Sequence, residues 1–263
     1  MLEAEYRALA ARLEGDDWKA LSEQLAGQLG DPGIWSRSDR HGVLARYALM
    51  DRVKAAMKTV ESLRERLDKS RDARGSSSEV MGRLARQILV TGLGVEDALS
   101  NAPIEAVLCV EPALDGGDAE EARAWCERLS KMYRGWAAKR GMQVEDHGTG
   151  KDAVIAVSGF GAYRLLAEEA GLHVLEVSDD DEGSRVTARV RVAAAPLGDL
   201  PAVSAAKVLR AALDKAGAAN SVVRRYRGGT APLVRDGKKA WRSGKLDAVL
   251  AGDFDVIGAI AAR

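Results

Sequence analysis

Ser184-Arg185-Val186-Thr187-Ala188-Arg189-Val190-Arg191-Val192-Ala193 alternates more cleanly than any other part of the chain. Successive side chains of an extended backbone point to opposite faces. Val186, Ala188, Val190 and Val192 therefore share one face, and Arg185, Thr187, Arg189 and Arg191 the other. The pattern predicts a strand with one buried aliphatic face and one face striped by three arginines.

Working outward, residues 104–111 are short and rich in β-formers, which predicts a buried strand. Asp118-Ala119-Glu120-Glu121 supplies a carboxylate N-cap with a glutamate three residues on. The helix that follows places Ala122, Trp125, Cys126, Leu129, Tyr133 and Trp136 on one face, and Gly141 closes it. Residues 153–158 and 173–177 read as strands, with a short helix over 163–170 between them. Beyond the alternating strand, 196–219 reads as a turn and one helix bearing Val208, Leu209 and Leu213. Short strands are predicted at 222–226, 233–235 and 239–241, then a terminal helix over 246–260.

The first hundred residues have a different periodicity. Leu2, Tyr6, Leu9, Leu13, Leu21 and Leu25 mark an amphipathic helical region broken at Gly15-Asp16-Asp17 and ended by Asp31-Pro32-Gly33. Val43, Met50, Val53, Met57, Val60 and Leu67 fit heptad spacing, which predicts a long helix packed lengthwise on another, as a helical hairpin or a dimerising coiled coil. Arg74-Gly75-Ser76-Ser77-Ser78 reads as a linker whose last serine caps a third helix with Met81, Leu84 and Ile88 on its apolar face. The fold class is α+β: a helical, coiled-coil-like domain over 1–100 and a mixed α/β domain over 101–263.

The 263 residues are 46% apolar and 30% charged, enough to supply a core and a solvated surface and to exclude wholesale disorder. A uniform formal charge of zero would exclude a polyanion binder, but here the zero is a cancellation. Residues 96–182 carry 8 basic and 19 acidic side chains, and 183–245 carry 14 and 3. Opposed blocks of this kind point to distinct interaction surfaces. Within 221–245, Arg224, Arg225, Arg227, Arg235, Lys238, Lys239, Arg242 and Lys245 face a single acid, Asp236, with Tyr226 and Trp241 among them. Basic charge interleaved with aromatics is a nucleic-acid pattern, and equally that of a solvated charged face.

Cys109 and Cys126 have neither disulfide nor zinc spacing, and no catalytic, metal-binding or phosphate-loop constellation occurs, so no cofactor or metal is expected. Without a membrane-spanning run, and with an acidic Met1-Leu2-Glu3-Ala4-Glu5 start, the expected location is cytoplasmic.

Several segments resemble, in order, the bacterial and organellar class I peptide chain release factors, most closely the branch that reads UGA and UAA. Asp31-Pro32-Gly33-Ile34-Trp35 is similar to that branch's Asp-Pro-x-x-Trp, and Met132-Tyr133-Arg134-Gly135-Trp136, preceded by Gly116-Gly117, to its Met-Tyr-x-x-Trp helix. Gly159-Phe160-Gly161-Ala162-Tyr163-Arg164-Leu165-Leu166 and Glu169-Ala170-Gly171-Leu172-His173 are similar to Gly-x-x-Ala-Tyr-x-x-Leu and Glu-x-Gly-Val-His. Val223-Arg224-Arg225-Tyr226, Val234-Arg235-Asp236 and Val249-Leu250-Ala251-Gly252-Asp253-Phe254-Asp255 resemble Ile-Arg-x-Tyr, Val-x-Asp and Val-Leu-x-Gly-x-Leu-Asp.

The resemblance implies a release-factor-like α+β core beside a helical domain, with His173 structural. It also exposes departures. The family's hydrolytic Gly-Gly-Gln occurs nowhere in the sequence, and at its place in the order residues 196–221 carry a single predicted helix. The codon-reading Ser-Pro-Phe falls at Ser178-Asp179-Asp180, within the acidic run Asp179-Asp180-Asp181-Glu182. The Arg-His-Thr falls at Arg185-Val186-Thr187, where valine offers no ring for a base to stack on. The implied function is a non-hydrolytic release-factor-like protein that binds the ribosome, ribosomal RNA or another structured RNA and regulates translation or protects RNA. Its expected contacts are Arg185, Thr187, Arg189, Arg191, Arg224, Arg225, Arg227, Arg235, Lys238, Lys239 and Arg242. The alternative is a protein-interaction module using the heptad helix or the acidic loop, and a third reading is an active peptidyl-tRNA hydrolase.

Overall fold

The computed structural model describes residues 1–69, 77–113, 118–176, 185–198 and 204–255. Its contacts divide it into two compact units, one formed mainly by Met1–Ala102 and the other by Pro103–Pro196 and Leu200–Asp255.

The first unit holds α1 (Leu2–Glu14), α2 (Asp16–Gly30), a 3-10 turn over Pro32–Ser36, α3 (Arg40–Lys69) and α4 (Ser77–Ser100). Extended backbone at Gly15 separates α1 from α2, and the Asp31 carboxylate accepts from the Gly33 N–H at 2.9 Å to start the 3-10 turn. Along α3, Val43, Met50, Val53, Met57 and Val60 are buried as the heptad spacing predicts, joined by Leu49 and Leu63. α4 and α2 of the same chain pack on α3 and bury this seam, as the helical-hairpin reading expects. The buried stripe of α4 runs through Val80, Leu84, Ile88, Thr91 and Val95, while Met81 is 44% exposed. Leu84 and Ile88 are buried as predicted, and Val80 takes the place expected of Met81, because both fit helical spacing to Leu84 and Ile88. The Arg46 guanidinium donates to the Ala98 carbonyl at 2.9 and 2.6 Å, satisfying an acceptor at the end of α4.

The second unit runs β1 (Glu105–Pro112), α5 (Ala119–Lys139), β2 (Gln143–His147), β3 (Val154–Ser158), α6 (Ala162–Leu166), a 3-10 turn (Ala167–Glu169), β4 (Gly171–Glu176), β5 (Arg185–Ala194), α7 (Ala205–Ala216), β6 (Val222–Arg227), β7 (Leu233–Asp236), β8 (Arg242–Ser243) and α8 (Leu246–Leu250). The sheet order is β2-β3-β1-β5-β4-β6-β7-β8, antiparallel except for the parallel pair β4 and β6. Asp118 caps α5, its carboxylate accepting from the N–H groups of Glu120 and Glu121 at 2.6 and 3.1 Å. α5 lays Trp125, Leu129, Met132, Tyr133 and Trp136 into one core with Leu108, Val186, Ala188, Val190, Tyr226 and Val234.

Among the described residues of this unit, α7 covers part of the opposite sheet face. Leu209 and Leu213 of α7 pack with Val107, Cys109, Val154 and Ala193 over β1, β3 and β5. At the turn between β7 and β8, Asp236 accepts from the N–H groups of Lys238 and Lys239 at 3.0 and 2.6 Å. That tight turn displaces the strand predicted at 239–241 to Arg242–Ser243. β2 is an edge strand whose polar Gln143-Val144-Glu145-Asp146-His147 carries little hydrophobic alternation, and it was not predicted. The predicted terminal helix ends early. At Gly252 φ is +103°, and a Cβ there would stand 2.4 Å from the Trp136 nitrogen, so the chain turns against α5 where only glycine fits. No helix among the described residues is long and apolar enough to cross a membrane.

Candidate nucleic-acid interface

Period-two alternation divides the arginines of β6 between two environments. Arg224 faces α5 with Tyr226, and it is fully buried. Its guanidinium donates to both Glu169 carboxylate oxygens at 3.0 and 2.8 Å, to Asp236 at 3.0 Å and to the Tyr226 hydroxyl at 3.3 Å. The Trp241 and Phe254 rings lie 5.3 and 5.1 Å from it. Burial alone would lower the Arg224 pKa, but Tyr226 and Glu169 hold it well above the usual value. Asp236 is likewise pushed up by burial, yet the Lys239 N–H and Arg224 bonds hold its carboxyl below the usual range.

His173 completes this network. Its Nε2 lies 3.0 Å from the Glu169 carbonyl and its Nδ1 3.1 Å from the Tyr226 hydroxyl. Burial, reinforced by the Arg224 charge, lowers its pKa to about 3, so the ring is neutral. A carbonyl only accepts, so Nε2–H donates to Glu169 and Nδ1 accepts from Tyr226. Tyr133 donates to Glu169 at 3.2 Å, and burial pushes its own pKa well up. These groups bond chiefly to one another, and only the Arg224 Nε among them is buried without a hydrogen-bond partner among the described residues.

On the other face, cross-strand register builds a row. Thr187 pairs with Val174, Val174 with Arg225, Arg225 with Arg235, and Arg235 with Arg242. Arg225, Arg235 and Arg242 are exposed, and among the described residues none of their three side chains has an ion-pair or hydrogen-bond partner. Beside this row, Arg185 and Arg227 flank Glu176 in the next register position. Like charges directly opposite on neighbouring strands repel.

The predicted contacts therefore separate. Arg185, Arg225, Arg235 and Arg242 are exposed, and Thr187, Arg189 and Arg227 half-buried. Arg189 donates to the Asn220 side chain at 3.2 Å and Arg227 to the Ala231 carbonyl at 3.2 Å. Lys238 and Lys239 are exposed but already engaged: Lys238 donates to the carbonyls of Glu168 and Ala170, and Lys239 pairs with the Glu168 carboxylate at 2.6 Å. Two expectations are corrected. Arg224 is sealed in the core, and Arg191, 9% exposed beneath α7, is bound to Asp214 at 2.9 Å. Tyr226 is buried and Trp241 packs against the core, so neither is an exposed stacking platform interleaved with the basic charge. Val186 is also in the core. Ser178, Asp179, Asp180 and the rest of the acidic run lie outside the described residues.

Glu169 was not predicted as the buried counter-ion. The available signal was the period of Val222-Val223-Arg224-Arg225-Tyr226-Arg227, which sets Arg224 apart from Arg225 and beside Tyr226. Burial pushes the Cys109 and Cys126 thiols up to about 11 and about 12. Among the described residues no group of three or more His, Cys, Asp or Glu is arranged to hold a metal.

The chain matches the PCRF domain over residues 18–190. It is 27% identical over 216 residues to peptide chain release factor 2 of Frankia casuarinae, covering 76% of this chain and 58% of that protein. With peptide chain release factor 2 of Rhodococcus jostii it shares 26% over 216 residues, covering 74% and 57%. It thus spans somewhat over half the length of these relatives. Among solved structures, RF2 of Thermus thermophilus aligns at a TM-score of 0.47 and 22% identity, covering 97% of this chain and 99% of that one. The PCRF match extends from α2 through most of β5, and the chain belongs to the PCRF-domain family of class I peptide chain release factors.

Proposed function

We propose that this protein is a non-hydrolytic member of its family that binds the ribosome or another structured RNA through the open arginine face and regulates translation or protects RNA. The observation that carries the proposal is the in-register row Arg225, Arg235 and Arg242, exposed and unpaired among the described residues. Three guanidinium groups on adjacent strands repel unless an anion neutralises them, and a phosphate backbone is the polyanion that fits such a row. Arg185, Thr187, Arg189 and Arg227 extend the face on either side.

Two features support the non-hydrolytic part. The 263 residues contain no Gly-Gly-Gln. The connection from β5 to β6 is occupied by α7, which is docked by Leu209 and Leu213 and tied down by the Arg191–Asp214 and Arg210–Glu111 ion pairs at 2.9 and 2.8 Å. Sedimentation with ribosomes across a salt series tests the ribosomal version: co-sedimentation that declines with salt is expected, and free protein at every salt concentration would sink it. Peptide release from a programmed ribosome by purified protein would overturn the non-hydrolytic part.

A further inference from the structure

We infer that the open arginine face takes its RNA by the phosphates alone, as a double-helical segment, and does not read splayed bases. The inference rests on the proposed RNA binding and narrows it to one RNA geometry. Single-stranded RNA is commonly gripped by stacking successive bases on aromatic rings, and duplex RNA by its phosphates, 2′-hydroxyls and shape. The aromatics near the basic segment are committed elsewhere. Tyr226 is fully buried against Trp125, with ring centroids 4.8 Å apart, and Trp241 lies against the buried Arg224. The described positions of β4 to β8 that share a face with Arg225 carry arginine, aliphatic residues, Thr187 and Glu176, and no aromatic ring.

The charge has the complementary layout. Neighbouring strands are about 4.8 Å apart, so Arg225, Arg235 and Arg242 form a line about 10 Å long running across the strands. Long, exposed side chains on that line can reach successive phosphates. Such recognition is indifferent to sequence and strongly dependent on salt.

The experiment titrates the full chain against a 20-base-pair blunt RNA duplex of two unrelated sequences and against each component single strand, at several salt concentrations. The two duplexes should bind within about 3-fold of one another and each more tightly than its strands. In the triple variant Arg225→Ala, Arg235→Ala, Arg242→Ala, the slope of log affinity against log salt should fall by about 2 to 3. Circular dichroism confirms that the variant is folded, and single substitutions at the same positions give a graded readout. Tighter binding to single strands, or a preference set by base identity, would overturn the inference and leave RNA binding standing. Failure to bind any of these RNAs together with failure to sediment with ribosomes would overturn the proposed function itself.

Discussion

Arg224 and Arg225 are consecutive, chemically identical, and placed in opposite environments by the pleat of β6. Arg224 is fully buried, held by Glu169, Asp236 and Tyr226, and its charge is cancelled inside the fold. Arg225 is exposed, stands opposite Arg235, and has no partner among the described residues. One face of the strand thus uses arginine to fix a polar core, and the other presents arginine that the fold does not need. Burial is costly for a charge unless the geometry is complete, and an unpaired surface charge contributes little to stability. The difference separates an arginine that completes the core from one whose side chain is left available to the proposed binding.

The comparison breaks most visibly at Arg224. Arg224→Met removes the cation between two buried carboxylates and should cost about 3–5 kcal/mol in urea unfolding, whereas Arg225→Met should change stability by less than about 0.5 kcal/mol. Equal effects at the two positions would erase the distinction. On the core side, Gly252→Ala forces a side chain into left-handed backbone and into the Trp136 nitrogen, and it should cost about 2–3 kcal/mol by the same assay.

The network also sets a pH response. Folded His173 stays neutral to about pH 3, against 6.5 for an ordinary histidine. Between those values the unfolded chain binds a proton that the folded chain refuses. The stability contribution of His173 is therefore complete above pH 6.5 and is lost as pH falls below it, at up to about 1.4 kcal/mol per pH unit. His173→Gln should flatten this part of the stability profile between pH 6 and 4. An unchanged slope would mean that the ring is protonated in the folded state. The smallest effect belongs to the open face. The triple substitution Arg225→Ala, Arg235→Ala, Arg242→Ala should leave the unfolding free energy unchanged or raise it by no more than about 0.5 kcal/mol as like-charge repulsion is relieved.

Much of the architecture was legible in residue periodicity. The heptad of α3, the Asp118 cap, the break at Gly15 and the alternation of β5 are local signals, and the structure places elements where they fall. What escaped were features decided at a distance. β2 has almost no apolar pattern because it lies at a sheet edge, and its pairing with β3 is visible only in three dimensions. The strand expected at 239–241 lost to a turn made by the Asp236 side chain. The candidate site was half legible. The basic segment was evident as composition, but composition counts Arg224 with Arg225 and cannot show that α7 covers Arg191. Applying strand alternation to β6 as well as β5 separates the first pair. The second needed the docking of α7, which no local pattern in β5 records.

The most direct test of the claim that the two faces have different purposes is the salt dependence of affinity for duplex RNA, measured side by side for the wild-type protein and the Arg225→Ala, Arg235→Ala, Arg242→Ala variant. The account predicts a variant as stable as wild type whose log–log salt slope is smaller by about 2 to 3. A folded variant with an unchanged slope and unchanged affinity would contradict it.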